Sequence, residues 1–159
     1  MTIIADTDRA YAAGLFDGEG CVLIAYPRTG NGRRYHRLDV SIAQIDSRPL
    51  RWLRDRYGGH LTANPKRNQS VRIVWHWRVN DRTAEAFLKS ILPFSILKSA
   101  QIEVALEFRA TVRKRTSGHK RSGAGPHAGW ESVDPVTADI HVAREDMRMK
   151  LQVLKRQVA

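Results

Sequence analysis

The stretch Ala12-Ala13-Gly14-Leu15-Phe16-Asp17-Gly18-Glu19-Gly20 joins a helical run of small and apolar residues to a pair of carboxylates at its end. Thr7 or Asp8 is expected to cap the helix that carries it, and Gly18 and Gly20 to stop it. The run from Ala10 to Phe16 is apolar all round, which implies burial on more than one side. Ala10, Ala13, Gly14 and Gly18 form a stripe without bulk, against which another backbone can lie closely. Gly14 costs about 1 kcal/mol relative to Ala in a helix interior, so a close contact is the natural reason for it. Asp17 and Glu19 sit at the negative end of the helix dipole, unfavourable by roughly 0.3–1 kcal/mol each. A cation offsets that. Mg²⁺ suits the position, because it takes carboxylate and carbonyl oxygens and keeps waters for a phosphate.

Outward from this helix the pattern changes to strands. Cys21 to Tyr26 is apolar and partly β-branched, and Pro27 to Gly32 is a turn cluster. Tyr35 to Ile42 alternates, with Leu38, Val40 and Ile42 facing one way and Tyr35, Arg37, Asp39 and Ser41 the other. Ser47 to Tyr57 reads as a helix with Leu50, Leu53 and Tyr57 on one stripe, ended by Gly58-Gly59. His60 to Asn64 is a short strand. Val71 to Val79 alternates again: Val71, Ile73, Trp75, Trp77 and Val79 oppose Arg72, Val74, His76 and Arg78. Asp81 is expected to cap a helix through Ile91, broken at Pro93. Ser95 is expected to cap another running to about Val112, which puts Lys98 in its first turn. Residues 113–133, basic and rich in Gly and Ser, read as a flexible loop. Asp134-Pro135 then opens a last helix with the stripe Val136, Ile140, Ala143, Met147, Leu151, Leu154 and Val158. The strand–strand–helix unit therefore occurs twice after the first helix. The fold class expected is α+β, with a core over 1–112 and a C-terminal helix, 134–159, packed on the same domain.

Composition narrows the function. The 159 residues suit one domain, and 27 Lys and Arg against 16 Asp and Glu give a formal charge of +11. With a pI near 10.5, such a surface attracts polyanions, nucleic acid first. No helix pairs a basic face with a Trp/Phe/Leu face, and no apolar run approaches a membrane span, so no membrane partner is expected. Cys21, the single cysteine, excludes an intramolecular disulfide and a zinc site built on cysteines. No pair among the six histidines has zinc-ligand spacing. Met1 to Asp8 lacks the features of a signal peptide, so an intracellular protein is expected.

The signature stretch resembles the nine-residue motif of the LAGLIDADG homing endonucleases, with Tyr11 before it and a strand after it. The element order matches that family's αββαββα core, and Leu92-Pro93-Phe94-Ser95-Ile96-Leu97-Lys98 resembles its stretch with a catalytic lysine. The resemblance spans about residues 8–112. It implies a site-specific, metal-dependent endonuclease acting on double-stranded DNA, with no small-molecule substrate. Glu19 stands at the metal-binding position, where many members have Asp, and would bind Mg²⁺ with the Gly18 carbonyl; Mn²⁺ or Ca²⁺ could substitute in binding. The chain has one copy of the motif, which implies a homodimer with Ala10, Ala13, Gly14, Asp17 and Gly18 at the interface and one Glu19 from each subunit. Lys98 would stabilise charge at the phosphate, and either Gln44 or Asp46 would position solvent.

The resemblance further implies a twisted four-stranded antiparallel sheet whose wet face enters the major groove of a long, near-palindromic site. Residue parity assigns to that face Tyr35, Arg37, Asp39 and Ser41; His60, Thr62, Asn64 and Lys66; and Arg72, His76 and Arg78. Cys21, Leu23 and Ala25 fall there too but are poor base readers. Arg28, Arg33 and Arg34 flank the first turn as phosphate or outer-base contacts. The competing reading is a non-cleaving DNA or RNA binder of the same fold, an intron maturase or a regulator. The chain shows no HNH or GIY-YIG pattern, no intein nucleophile and no terminal His-Asn.

Overall fold

A computed structural model describes residues 4–28, 30, 32, 34–64, 73–112 and 138–158. Helix α1 (Asp6–Glu19) leads into β1 (Gly20–Ala25) and β2 (Arg37–Gln44), then α2 (Ser47–Tyr57), β3 (His60–Asn64), β4 (Val74–Asn80), α3 (Asp81–Ile91), a short 3₁₀ turn (Leu92–Phe94), α4 (Ser99–Ala110) and α5 (Ala138–Val158). The fold is α+β, with the strand–strand–helix unit used twice. All pairings are antiparallel, and the order β1-β2-β4-β3 makes β1 and β3 the edges.

The helices cover one face of the sheet, as the alternation requires. Val22, Ile24, Leu38, Val40, Ile42, Trp77 and Val79 are buried against Ala12, Ala13 and Phe16 of α1, Leu50 and Leu53 of α2, Phe87, Leu88 and Ile91 of α3, and Ile102, Ala105 and Phe108 of α4. Phe16, Trp77 and Tyr57 each meet the Phe87 ring edge-on, at 6.0, 5.0 and 5.0 Å between centroids. The Trp77 indole donates to the Gly58 carbonyl at 2.8 Å, which satisfies the one polar atom of a buried ring. Helix α5 lies against α4 and the edge strand β1, with Leu151 buried and Met147 and Leu154 packed on the core. Arg144 locks it there, donating to the Thr111 hydroxyl and carbonyl at 2.9 and 2.8 Å.

Several sequence expectations shift. Helix α1 starts at Asp6 with Ala5 as its N-cap, so neither Thr7 nor Asp8 caps it; Asp6 and Asp8 instead place charge in the first turn, the favourable end of the dipole. Strand β4 begins at Val74, and Ile73, expected on the buried face, is half exposed. The N-cap of α3 is Asn80; Asp81, the first helical residue, has a φ of 44°, a region aspartate tolerates better than most residues. Its carboxylate accepts from the Leu38 N–H at 3.4 Å and from Arg109 at 3.0 Å, tying α3 to β2 and α4. Ser95 does not cap α4, whose N-cap is Lys98. The expected basic loop 113–133, the helix start at Asp134-Pro135 and Val71 lie outside the described residues.

Candidate active site and nucleic-acid interface

The end of α1 is fastened to the segment that precedes α4 by exchanged side chains. The Asp17 carboxylate accepts from the Ser95 hydroxyl at 2.6 Å and from the N–H groups of Ile96, Leu97 and Lys98 at 2.7, 3.2 and 3.2 Å. Burial pushes Asp17 up, but these bonds to its charged form outweigh that and hold it below the ordinary aspartate range. In return the Lys98 ammonium donates to the carbonyls of Phe16 at 3.0 Å and Gly20 at 2.7 Å. Lys98 caps the N-terminal end of α4 by position, but its ammonium lies at the favourable, negative end of α1. Burial lowers its pKa, while Asp17, Cys21 and Glu19 act to raise it and Lys155 to lower it further.

Asp17 is thus spent within its own chain. Glu19, the last residue of α1, is exposed and makes no hydrogen bond or ion pair with the described residues. Gln44 ends β2: the β1–β2 ladder places Gly20 opposite Ile42, so Gln44 lies just beyond it, beside the α1–β1 junction. It shares the parity of buried Leu38, Val40 and Ile42 and is half-buried on the helix side. Asp46, the alternative to it, is committed elsewhere. It caps α2 by accepting from the Arg48 N–H at 2.9 Å and pairs with the Arg48 guanidinium, which lowers its pKa to about 2. The chain therefore brings Glu19 and Lys98 close enough to interact, with Gln44 on β2 two residues beyond the ladder partner of Gly20.

The stripe on α1 divides. Ala10, Gly14 and Gly18 are exposed together with Tyr11, but Ala13 is buried in the core and is not on the outer face. The helical wheel explains this, because Ala13 follows Ala12 around to the sheet side. A Cβ built on Gly14 or on Gly18 meets nothing within 4 Å, so the packing of the described residues does not require glycine at either. Gly20 differs: a Cβ there falls 2.2 Å from the Phe16 ring and 2.5 Å from its carbonyl.

The sheet face away from the helices is open and polar. Cys21, Ser41, Arg78 and His60 form a row across all four strands. The flanking rows are Ala43, His76 and Thr62 on one side and Leu23, Asp39 and Asn80 on the other. Arg37 holds Asp39 with two parallel bonds, Nε to Oδ1 at 2.6 Å and Nη2 to Oδ2 at 2.8 Å. Tyr35 is exposed and its N–H donates to the Pro27 carbonyl at 3.2 Å, closing the turn where Arg28 bridges Arg34; the Arg34 guanidinium lies 5.5 Å over the Tyr26 ring. Arg33, Lys66, Arg72 and the Asn64 side chain lie outside the described residues. Ala43 and Asn80 belong to the open face and were missed; the same alternation, carried past both expected strand ends, finds them.

No protein-family model matches the sequence, and no curated protein matches it significantly. Solved structures do match. The homing endonuclease I-CvuI in complex with its target and Ca overlays with a TM-score of 0.66 at 17% identity, covering 94% of this chain and 82% of that one. The archaeal intron-encoded homing endonuclease I-Vdi141I complexed with DNA gives 0.67 at 14% identity, over 94% and 84% of the two chains. This chain has the LAGLIDADG homing endonuclease fold. The LAGLIDADG homing endonuclease I-GzeII in complex with a DNA target, a longer chain, matches at a TM-score of 0.51 and 13% identity over 65% of this chain and 35% of its own. Among the described residues no helix of this LAGLIDADG-fold chain is long and apolar enough to cross a membrane.

Proposed function

We propose that two copies of this chain, paired through the exposed face of α1, hydrolyse double-stranded DNA at a long, near-palindromic site with the help of Mg²⁺. The observation that carries the reading is the outer face of α1: glycines on which no described residue packs, leading to an exposed Glu19 that has no ion pair among the described residues. A second α1 against Gly14 and Gly18 would set the Glu19 carboxylates side by side, one per subunit. The residues fit a divalent ion only in that pairing. Among the described residues no cluster of three His, Cys, Asp or Glu could hold a metal within one chain, whereas two Glu19 carboxylates and two Gly18 carbonyls make an oxygen set that Mg²⁺ accepts. When bound, the ion supplies Lewis acidity at the phosphodiester.

The remaining work falls to the chain. Lys98, held on the carbonyls of Phe16 and Gly20, supplies positive charge beside the phosphate, and Gln44, at the end of β2, orients solvent. The open sheet face offers donors and acceptors from Ser41, Arg78, His60, His76 and Thr62 to base edges in the major groove. The formal charge of +11 supports tight, salt-dependent binding. The complexes of I-CvuI with its target and of I-Vdi141I with DNA, whose fold this chain shares, support the same reading.

The test is cleavage of a randomised duplex library with Mg²⁺, followed by wild type against Glu19→Gln on the selected site. The variant is expected to bind equally and to cut at least about a hundredfold more slowly, as for a lost metal ligand. Cutting at the wild-type rate, or a monomer on the selected DNA, overturns the proposal.

A further inference from the structure

We propose that Lys155, on the last helix, is a second cation of the cleavage centre and contacts a backbone phosphate next to the one held at Glu19 and Lys98. This rests on the reading above and goes beyond it, because neither the signature nor the αββαββα core contains this residue.

Helix α5 flanks the edge strand β1 and carries Lys155 to the start of that strand, where its ammonium lies 3.0 Å from the Cys21 sulfur. Cys21 follows Gly20, whose carbonyl holds Lys98. Cys21 is also the edge residue of the open-face row that runs through Ser41, Arg78 and His60. Lys155 therefore sits where the polar sheet face meets the end of α1, close enough to Lys98 for the ammonium groups to repel one another.

The partners of the two lysines differ in kind. Lys98 is held by two backbone carbonyls, strong acceptors fixed by the fold. Among the described residues Lys155 has only a thiol, a weak acceptor that gives up an ammonium readily. Neither lysine forms an ion pair with the described residues, although Asp17 and Glu19 lie near Lys98. Folding thus sets two ammonium groups near one another, each hydrogen-bonded to uncharged acceptors, and the repulsion between them is relieved by an anion placed beside Lys155. The phosphate backbone of DNA is the anion this surface faces. The length and freedom of the lysine side chain suit a point contact of this kind.

The experiment measures DNA binding against salt and single-turnover cleavage at saturating protein, on the selected site, for wild type, Lys155→Gln, Lys155→Arg and the exposed control Lys150→Gln. Thermal melting confirms that each variant is folded. Lys155→Gln is expected to slow cleavage about tenfold and to reduce the salt slope by about two, one phosphate contact per subunit. Lys155→Arg should restore both, and Lys150→Gln should change neither by as much. A wild-type slope in Lys155→Gln, or a full cleavage rate at saturation, overturns the inference. Failure of the parent reading shows separately: a wild type that binds without cutting, or a Glu19→Gln that cuts normally, refutes the proposed chemistry while the slope still decides whether Lys155 meets phosphate. A wild type that binds no duplex refutes both.

Discussion

The two faces of α1 obey different rules. On the inner face, Ala12, Ala13 and Phe16 are buried, and Gly20 is glycine because Phe16 leaves no room for a Cβ. On the outer face, Ala10, Gly14 and Gly18 are just as small, yet open space surrounds the glycines. The inner residues are explained by this chain's own core. No described residue packs on the outer glycines, and under the proposed function a second copy of α1 would supply the close contact. A small residue is thus informative only once its surroundings are known, and the same helix supplies both cases.

The contrast can be broken at Gly20 first. Gly20→Ala forces a methyl into the Phe16 ring and is expected to cost about 1–3 kcal/mol in a urea melt, as overpacking does. An unchanged midpoint would mean the ring swings aside freely. Asp17→Asn comes next, with an expected loss of about 1 kcal/mol at neutral pH, comparable to losing a cap. Its signature is the pH dependence. The folded pKa of Asp17 lies below the unfolded value of about 3.9, so its contribution is full above that value and is lost as pH falls through the lowered one. Melts from pH 6 downward should show the gap between wild type and Asp17→Asn closing in acid; a gap independent of pH would remove the charge from the explanation. Gly14→Ala should have the smallest effect on the single chain and the opposite sign, a gain of up to about 1 kcal/mol from helix propensity. The same methyl is expected to weaken self-association, read by sedimentation against concentration. A Gly14→Ala protein that associates as wild type does would free the outer face of any close contact.

Much of this arrangement was legible in the sequence. Alternation fixed which residues of β2 and β4 face the helices, because a strand with one buried face repeats every second residue. The end of α1 was equally clear, marked by glycines. What escaped was decided by contacts remote in the chain. Ser95 looked like a helix cap, but its hydroxyl donates to Asp17, and α4 starts later as a result. Lys98 was expected in the first turn of α4, and nothing local showed that its ammonium reaches the carbonyls of Phe16 and Gly20. Ala13 was assigned by spacing to the outer stripe, where a rotation of one residue decides the matter. Nothing local marks Lys155, since its setting depends on where α5 crosses β1. Nor does anything local pair Tyr26 with His141, whose ring nitrogen lies 2.6 Å from the tyrosine oxygen.

The strand order carries a further consequence. β1, which emerges from the Glu19 end of α1, and β3, which carries His60 and Thr62, are opposite edges of the sheet, separated by β2 and β4. Substitutions at the far edge can accumulate without disturbing the residues gathered around Glu19. Under the proposed function, such an architecture would let target preference change at β3 while the chemistry at Glu19 stays fixed, and it marks β3 as the first strand to randomise in a test of retargeting.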